Sequence, residues 1–187
     1  MKNIIAVPMI ILFVAFTYLG DSTGPQVDQR SFPIKMPQGG NILVNVLVSD
    51  SIDCRFIFDT GGGIHVISNS LLRRISSVPQ GRFTAFRHTG ERIDLEVFKI
   101  KALNIGGFRQ ENPLVATWSV LDSFKIDGIL SLKFFEDHPF TLDLRDSVLV
   151  FETPTSLFAK ASAVRFVPVV LHDNRGKSLD IFSNFRV

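Results

Sequence analysis

The chain has 187 residues, of which 45% are hydrophobic and 20% charged, so it is long enough for one packed domain with additional segments. Its formal net charge of +2 comes from scattered basic residues, and neither a nucleic acid nor a strongly acidic partner is expected. Cys54 is the single cysteine, which excludes an intrachain disulfide, and its apolar surroundings predict a small buried side chain.

The N-terminal segment differs from the rest of the chain. An apolar run from residue 4 to 19 follows a positively charged start and is shorter than the roughly 20 residues of a comfortable membrane span. We expect residues 1–20 to be a signal peptide or, if uncleaved, an N-terminal anchor. The protein is then exported to the periplasm or the extracellular space, and contacts a membrane only in the uncleaved form. Residues 21–31 are polar and are predicted to be a linker.

Residues 32–155 are predicted to form one mostly-β domain of ordinary size. Ser68 and Asn69 are expected to cap a short helix over 70–75, and 128–135 is predicted to be another short helix. The strand candidates are apolar runs separated by turns, and they cover residues 41–49, 54–59, 64–68, two stretches within 82–98, 98–105, 112–117, 140–144 and 147–151.

The turn after the strand 54–59 reads Asp59-Thr60-Gly61-Gly62-Gly63. A carboxylate at the tip of a tight turn between two buried strands is costly unless a functional site uses it. Glycines allow another chain or a substrate to come close, and Thr60 adds a hydroxyl that donates and accepts hydrogen bonds. Because Asp-Thr-Gly is short, the same residues also occur in ordinary solvated turns.

The segments that follow this turn favour a functional interpretation. A hairpin is predicted around residues 87–91, and an apolar segment, Gly128-Ile129-Leu130-Ser131, comes before the last strands. The motifs and their order resemble the retropepsin-like aspartic proteases, in particular their exported bacterial members. The resemblance covers roughly residues 32–152. It implies a closed β-barrel of the acid-protease type, with a flap hairpin and one or two short helices.

The resemblance also implies the site residues. Asp59 is the catalytic residue, and Thr60-Gly61-Gly62 completes the active-site loop. Arg87-His88-Thr89-Gly90 forms the flap that closes over an extended peptide. Ile129-Leu130-Ser131 supports the loop. No metal site and no cofactor are expected, and the four histidines are too widely spaced in the sequence to suggest a metal-ligand set.

The chain departs from the family pattern in three ways. Gly62 stands where Ala or Ser is usual, Ser131 stands where Gly is usual, and one Asp-Thr-Gly is present where the family uses two acids. Two neighbouring carboxylates share a proton, so that one takes a proton from water while the other polarises the peptide carbonyl. We expect the second acid to come from a homodimer partner or from a second lobe beyond Val187.

A weak repeat favours the second lobe. Phe-Pro-Ile-Lys-Met at 32–36 recurs as Val-Pro-Val-Val-Leu at 167–171, and a polar turn and a strand-like run follow each copy. Coincidence is the alternative explanation. If the repeat is real, residues 156–166 are a linker and 167–187 are the start of a second, truncated lobe.

The expected function is hydrolysis of peptide or protein substrates by an aspartic-type endopeptidase that supplies one acid of the pair. The main alternative is a non-catalytic peptide-binding or dimerisation module with the same fold. A third possibility is an unrelated β-barrel in which Asp59 belongs to a simple turn. Asp127, which precedes Gly128, is expected to cap a helix and not to act as the second acid.

Overall fold

The computed structural model of the chain describes residues 30–37, 40–86, 89–161, 165 and 167–183. The predicted signal peptide or anchor, most of the first predicted linker, and the flap residues Arg87 and His88 lie outside these residues. Within the described part of the chain, no helix is long and apolar enough to cross a membrane.

Short strands dominate the described residues. The strands are β1 (Arg30–Pro33), β2 (Leu43–Val48), β3 (Ile52–Asp59), β4 (His65–Ile67), β5 (Ser77–Phe86), β6 (Arg92–Ile100), β7 (Ala102–Ile105), β8 (Phe108–Glu111), β9 (Leu114–Thr117), β10 (Gly128–Ser131), β11 (Phe140–Asp143), β12 (Val148–Phe151), β13 (Val170–Asp173) and β14 (Leu179–Phe182). The helices are α1 (Asn69–Leu72), α2 (Val120–Phe124), α3 (Pro154–Ala161) and a 3-10 helix (Leu132–Phe135).

The strands form three sheets among the described residues. One has nine strands in the order β5-β6-β9-β4-β10-β3-β2-β7-β8, one has the order β1-β12-β11, and β13 pairs with β14. The mostly-β class and the hairpin predicted around residues 87–91, which is β5–β6, are confirmed. The prediction of a closed barrel is wrong, because β5 and β8 are edges of the nine-stranded sheet and do not pair. β8 instead packs toward the three-stranded sheet, where Phe108 stacks on Phe151 with ring centroids 3.8 Å apart.

The core fixes the strand that ends in Asp59. Side chains alternate along β3, so that Cys54, Phe56 and Phe58 are buried in the main apolar cluster. The Phe58 ring makes edge contacts with two further rings, with centroids 5.3 Å from Phe135 and 5.6 Å from Phe140. Burial of Cys54 confirms its predicted packing role and raises the pKa of its thiol to about 12.

The helix predicted over residues 128–135 is wrong in its first half. Gly128–Ser131 is strand β10, which lies between β3 and β4, and only Leu132–Phe135 is helical. Gly128, Leu130 and Ser131 of β10 are buried and Ile129 is half-buried, so both faces of the strand are covered and its sequence lacks the alternation that marks a half-exposed strand. Asp127 caps no helix either, since its Oδ2 accepts the backbone N–H of Arg55 at 2.8 Å.

The described C-terminal segment packs against the domain. Helix α3 takes up most of the stretch predicted as the second linker, and the hairpin β13–β14 falls in the stretch predicted to begin a second lobe. Leu179 is 3% exposed and belongs to the main core cluster, and Lys133 forms an ion pair with Asp173 at 3.0 Å. The hairpin thus contributes to the same core as the strands that carry the site.

Candidate active site

Asp59 is the last residue of β3 and is half-buried at the start of the glycine turn. The Gly61 N–H donates a hydrogen bond of 2.8 Å to its Oδ1. Because Phe58 is anchored in the core, the turn begins from a fixed strand end. This hydrogen bond from its own loop therefore orients the Asp59 carboxylate.

The glycines bring the loop backbone close to this carboxylate. A Cβ atom at Gly61 would lie 3.3 Å from Asp59 Oδ1, and one at Gly62 would lie 3.2 Å from Oδ2. Both distances are tighter than ordinary van der Waals contact. Gly62, one of the departures from the family pattern, thus leaves the second carboxylate oxygen uncrowded.

The third glycine contacts the C-terminal hairpin. The carbonyl oxygen of Gly63 accepts the Leu179 N–H at 2.8 Å. A Cβ at Gly63 would lie 2.7 Å from Asp180 Oδ1 and 3.2 Å from Ser178 Cβ. The hairpin β13–β14 therefore closes one side of the glycine turn, a contact that sequence reasoning did not anticipate.

The predicted supporting segment lies beside the catalytic strand. β10 runs parallel to β3 with Ile129 opposite Ile57, Leu130 opposite Phe58 and Ser131 opposite Asp59. The structure thus brings Asp59, the glycine loop and Ile129-Leu130-Ser131 together, although the helical conformation expected for this segment is absent.

A buried histidine lies on the other side of Ser131. His65 is 1% exposed, and its Nδ1 accepts the Ser131 N–H at 3.2 Å and lies 3.3 Å from the Ser131 Oγ. Its Nε2 is 2.9 Å from Gln110 Oε1. Burial lowers the pKa of His65 to about 4, so the ring is neutral near pH 7.

Sequence reasoning assigned His65 no role in the site. One signal was available, because an imidazole flanked by Ile64, Val66 and Ile67 in a buried strand needs hydrogen-bond partners. The partners themselves come from distant parts of the chain, and the local sequence does not reveal them.

The base of the predicted flap hairpin packs beside the glycine turn. Ile64, which follows the glycine turn, packs in a second apolar cluster with Leu95 and Val97 of β6. At the described part of the tip, Thr89 and Gly90 are exposed, and Gly90 has a positive φ of 81° that suits a tight turn. The base of the hairpin β5–β6 therefore packs beside the residue that follows the glycine turn.

The described residues supply one carboxylate in this loop. In the same part of the chain, no group of three or more His, Cys, Asp or Glu side chains is arranged to hold a metal ion. A carboxylate oriented by an N–H donor is able to accept a proton from a water molecule, whereas polarisation of a peptide carbonyl needs a second, protonated acid.

Part of the chain resembles known proteins. No curated protein matches the chain. Among solved structures, the chain is similar to a retropepsin-like aspartic protease from Rickettsia conorii, with 15% sequence identity over 70% of this chain and 96% of that chain and a TM-score of 0.47. Residues 44–134 match the family model described as aspartyl protease, a range that includes the Asp59 turn, the flap hairpin and β10. This match confirms the resemblance inferred from the Asp-Thr-Gly turn: residues 44–134 of the chain are similar to aspartyl proteases.

Proposed function

We propose that the chain is an aspartic-type endopeptidase in which Asp59 is one of two carboxylates that activate a water molecule. The match of residues 44–134 to the aspartyl protease family model supports protease activity in general. The observation that carries the proposal is the hydrogen bond of 2.8 Å from the Gly61 N–H to Asp59 Oδ1. This bond orients a half-buried carboxylate in a turn that has no side chain at its next three positions after Thr60.

The reaction needs both protonation states within one pair of acids. The charged carboxylate takes a proton from water, the water oxygen attacks the peptide carbonyl carbon, and the protonated acid stabilises the developing oxyanion. Collapse of the tetrahedral intermediate breaks the C–N bond, and the leaving nitrogen takes up a proton from the pair. Because the two acids titrate together, the negative charge and the pKa values are properties of the pair and not of Asp59 alone.

Two sources are proposed for the second acid. In a homodimer with two-fold symmetry, the Asp59 carboxylates of both chains meet on the axis. In a two-lobe protein, an equivalent acid lies in a second lobe beyond Val187. The weak repeat between 32–36 and 167–171 favours the second lobe, whereas the packing of Leu179 in the core of the domain speaks against 167–187 being its start.

Mixing experiments separate these two sources. Wild-type and Asp59→Asn chains are combined at varied ratios and allowed to exchange subunits. In a homodimer that needs both acids, activity falls with the square of the wild-type fraction. In a chain that carries both acids, it falls in direct proportion to that fraction.

The second candidate function is binding of an extended peptide without hydrolysis. Two observations favour it: Ser131 departs from the family pattern beside Asp59, and the chain contains a single Asp-Thr-Gly. In this case the edge of the hairpin β5–β6 pairs with the peptide as an added strand.

Product analysis distinguishes the two functions. The purified full-length protein is incubated with an unfolded polypeptide across acidic to neutral pH, and new termini are identified by mass spectrometry. The endopeptidase proposal expects internal cleavage that is lost in Asp59→Ala. Binding of the polypeptide with no new termini at any pH supports the binding module instead.

Export is part of the proposal, on the basis of the apolar run at residues 4–19. Fractionation of the producing cell, followed by N-terminal sequencing, tests it. Mature protein that begins after residue 20 and lies outside the cytoplasm is expected, whereas cytoplasmic protein with an intact N-terminus contradicts export.

A further inference from the structure

The strand that supports the catalytic turn is held on its far side by a histidine. β10 lies between β3, which ends in Asp59, and β4, which begins with His65. Ser131 is the last residue of β10, and it is both the register partner of Asp59 and the hydrogen-bond partner of His65. The histidine and the aspartate thus lie on opposite sides of one residue.

We propose that His65 is a positioning residue for Asp59, because its neutral ring accepts the Ser131 N–H and fixes the end of β10 against the catalytic turn. This inference rests on the proposed peptidase function for its kinetic consequences. Its structural consequence, a fixed Gly61–Asp59 hydrogen bond, does not depend on catalysis.

The contacts of the ring define one tautomer. Nδ1 faces two donors, the N–H and the hydroxyl of Ser131, at 3.2 and 3.3 Å, so it must carry a lone pair. Nε2 then carries the proton and donates it to Gln110 Oε1 at 2.9 Å. Gln110 is held in this orientation because its Nε2 donates to the carbonyl of Lys133 at 3.5 Å.

Ser131 is suited to this arrangement in a way that glycine is not. Its side chain is fully buried, and its Oγ also accepts the Lys133 N–H at 3.3 Å, at the start of the 3-10 helix. The serine hydroxyl therefore links the histidine to the first turn of this helix. The departure from the family pattern at Ser131 and the buried His65 are parts of one hydrogen-bonded unit.

Burial and the nearby Lys133 ammonium oppose protonation of the ring. Lys133, Lys177 and Glu111 line the small cavity beside His65, and Lys133 is paired with Glu136 at 2.6 Å and with Asp173 at 3.0 Å. Protonation would bury a positive charge near an ammonium group and turn Nδ1 into a donor that faces the Ser131 N–H. Burial, with a smaller contribution from Lys133, lowers the pKa of His65 to about 4. The support is therefore intact above this pH and is lost below it.

Three variants test the proposal kinetically in the full-length protein. His65→Leu removes the acceptor, and a displaced acid is expected to lower kcat by about tenfold or more with KM unchanged. His65→Asn retains an acceptor oxygen near the position of Nδ1 and does not titrate. This variant is expected to keep kcat within about threefold of wild type. The part of the activity loss below about pH 4 that protonation of the ring causes should be absent from it. His138→Leu, which changes a histidine packed on Phe108, is the control and is expected to keep the wild-type pH profile.

The kinetic results that overturn the proposal are distinct from failure of the proposed function. A His65→Leu protein with wild-type kcat contradicts the proposal. So does a His65→Asn protein whose kcat is as low as that of His65→Leu and whose activity still falls at acidic pH as in wild type. If the wild-type protein hydrolyses nothing, the peptidase function fails and the decision passes to a structural measurement.

Amide NMR at pH 6 supplies that measurement. The Gly61 N–H bonded to Asp59 reports the position of the carboxylate, and the Ser131 N–H reports the bond to the ring. We expect both signals to shift in His65→Leu and to return toward wild type in His65→Asn. If His65→Leu does not fold, Gln110→Ala replaces it. Without the Gln110 oxygen, nothing keeps the proton of the His65 ring on Nε2, and Nδ1 is no longer fixed as the acceptor. Gly61 signals unchanged in every folded variant contradict the proposal.

Discussion

Ser131 lies directly beside Asp59, because β10 and β3 run parallel with these two residues as register partners. The pairing puts the end of a buried strand next to the proposed catalytic carboxylate. A change that moves β10 is therefore transmitted to Asp59, and the packing of this strand can be tested apart from any assay of activity.

Gly128 at the start of β10 has no room for a side chain. A Cβ there would lie 2.4 Å from Phe56 Cε1 and 2.7 Å from the backbone oxygen of Val66. We expect Gly128→Ala to lower the free energy of unfolding by about 1–3 kcal/mol through overpacking, measured by urea denaturation. Ser123→Ala, on the exposed face of α2, is the control, with an expected change within about 0.5 kcal/mol. Equal stability of both variants would mean that β10 is not enclosed as described.

The C-terminal hairpin is expected to contribute to the stability of the domain. Leu179 on β14 is 3% exposed in the main core, whereas Val170 on β13 is 64% exposed. Leu179→Ala should cost about 2–5 kcal/mol of unfolding free energy, as buried leucines do, and Val170→Ala should be nearly neutral. A near-neutral Leu179→Ala would show that the hairpin does not pack into this core.

The buried carboxylate of Glu152 makes the stability of the domain depend on pH. Burial opposes its ionisation, but the Lys160 ammonium and the hydroxyls of Ser156 and Thr141 outweigh burial and lower the pKa of Glu152. A folded-state pKa below the unfolded value of 4.5 stabilises the protein above that pH, and this contribution is lost as the pH falls through the folded pKa.

Lys160→Met tests this ion pair. The Glu152 side chain is fully buried and Lys160 is 29% exposed, so loss of the ammonium should cost about 1–3 kcal/mol at pH 7. The difference from wild type should shrink as the pH is lowered toward 3, because the lost contribution requires an ionised Glu152. Arg92→Met, which breaks an exposed ion pair with Asp94, serves as the control and should cost at most about 1 kcal/mol at either pH. A Lys160→Met cost that is the same at both pH values would rule out the proposed role of Glu152.

Local patterns were sufficient to predict much of the fold. The strands Leu43–Val48 and Ile52–Asp59 and the hairpin β5–β6 agree with their predictions, because apolar runs and turn residues mark them directly. β10 was mistaken for a helix, because a short apolar run in a fully enclosed strand has no periodicity to identify it. Barrel closure was inferred from the family resemblance, and no local signal bears on it.

The candidate site was predictable only in part, for a similar reason. Asp59 and its glycines are contiguous in the sequence, and the motif is visible there. The hydrogen bonds of His65 reach Gln110 and Ser131, and Gly63 meets Leu179, so these contacts depend on the assembled fold. The catalytic role of Asp59 and the flap role of Arg87-His88-Thr89-Gly90 stay predictions.

The rate of peptide hydrolysis by an Asp59→Asn protein tests the central claim most directly. Asparagine preserves the shape of the side chain but cannot share a proton with a second acid. We predict that kcat/KM on an unfolded polypeptide falls by at least about 100-fold in Asp59→Asn, whereas Asp53→Asn, at an exposed position on the same strand, keeps wild-type activity. An Asp59→Asn protein as active as wild type would contradict the assignment of Asp59 as a catalytic acid.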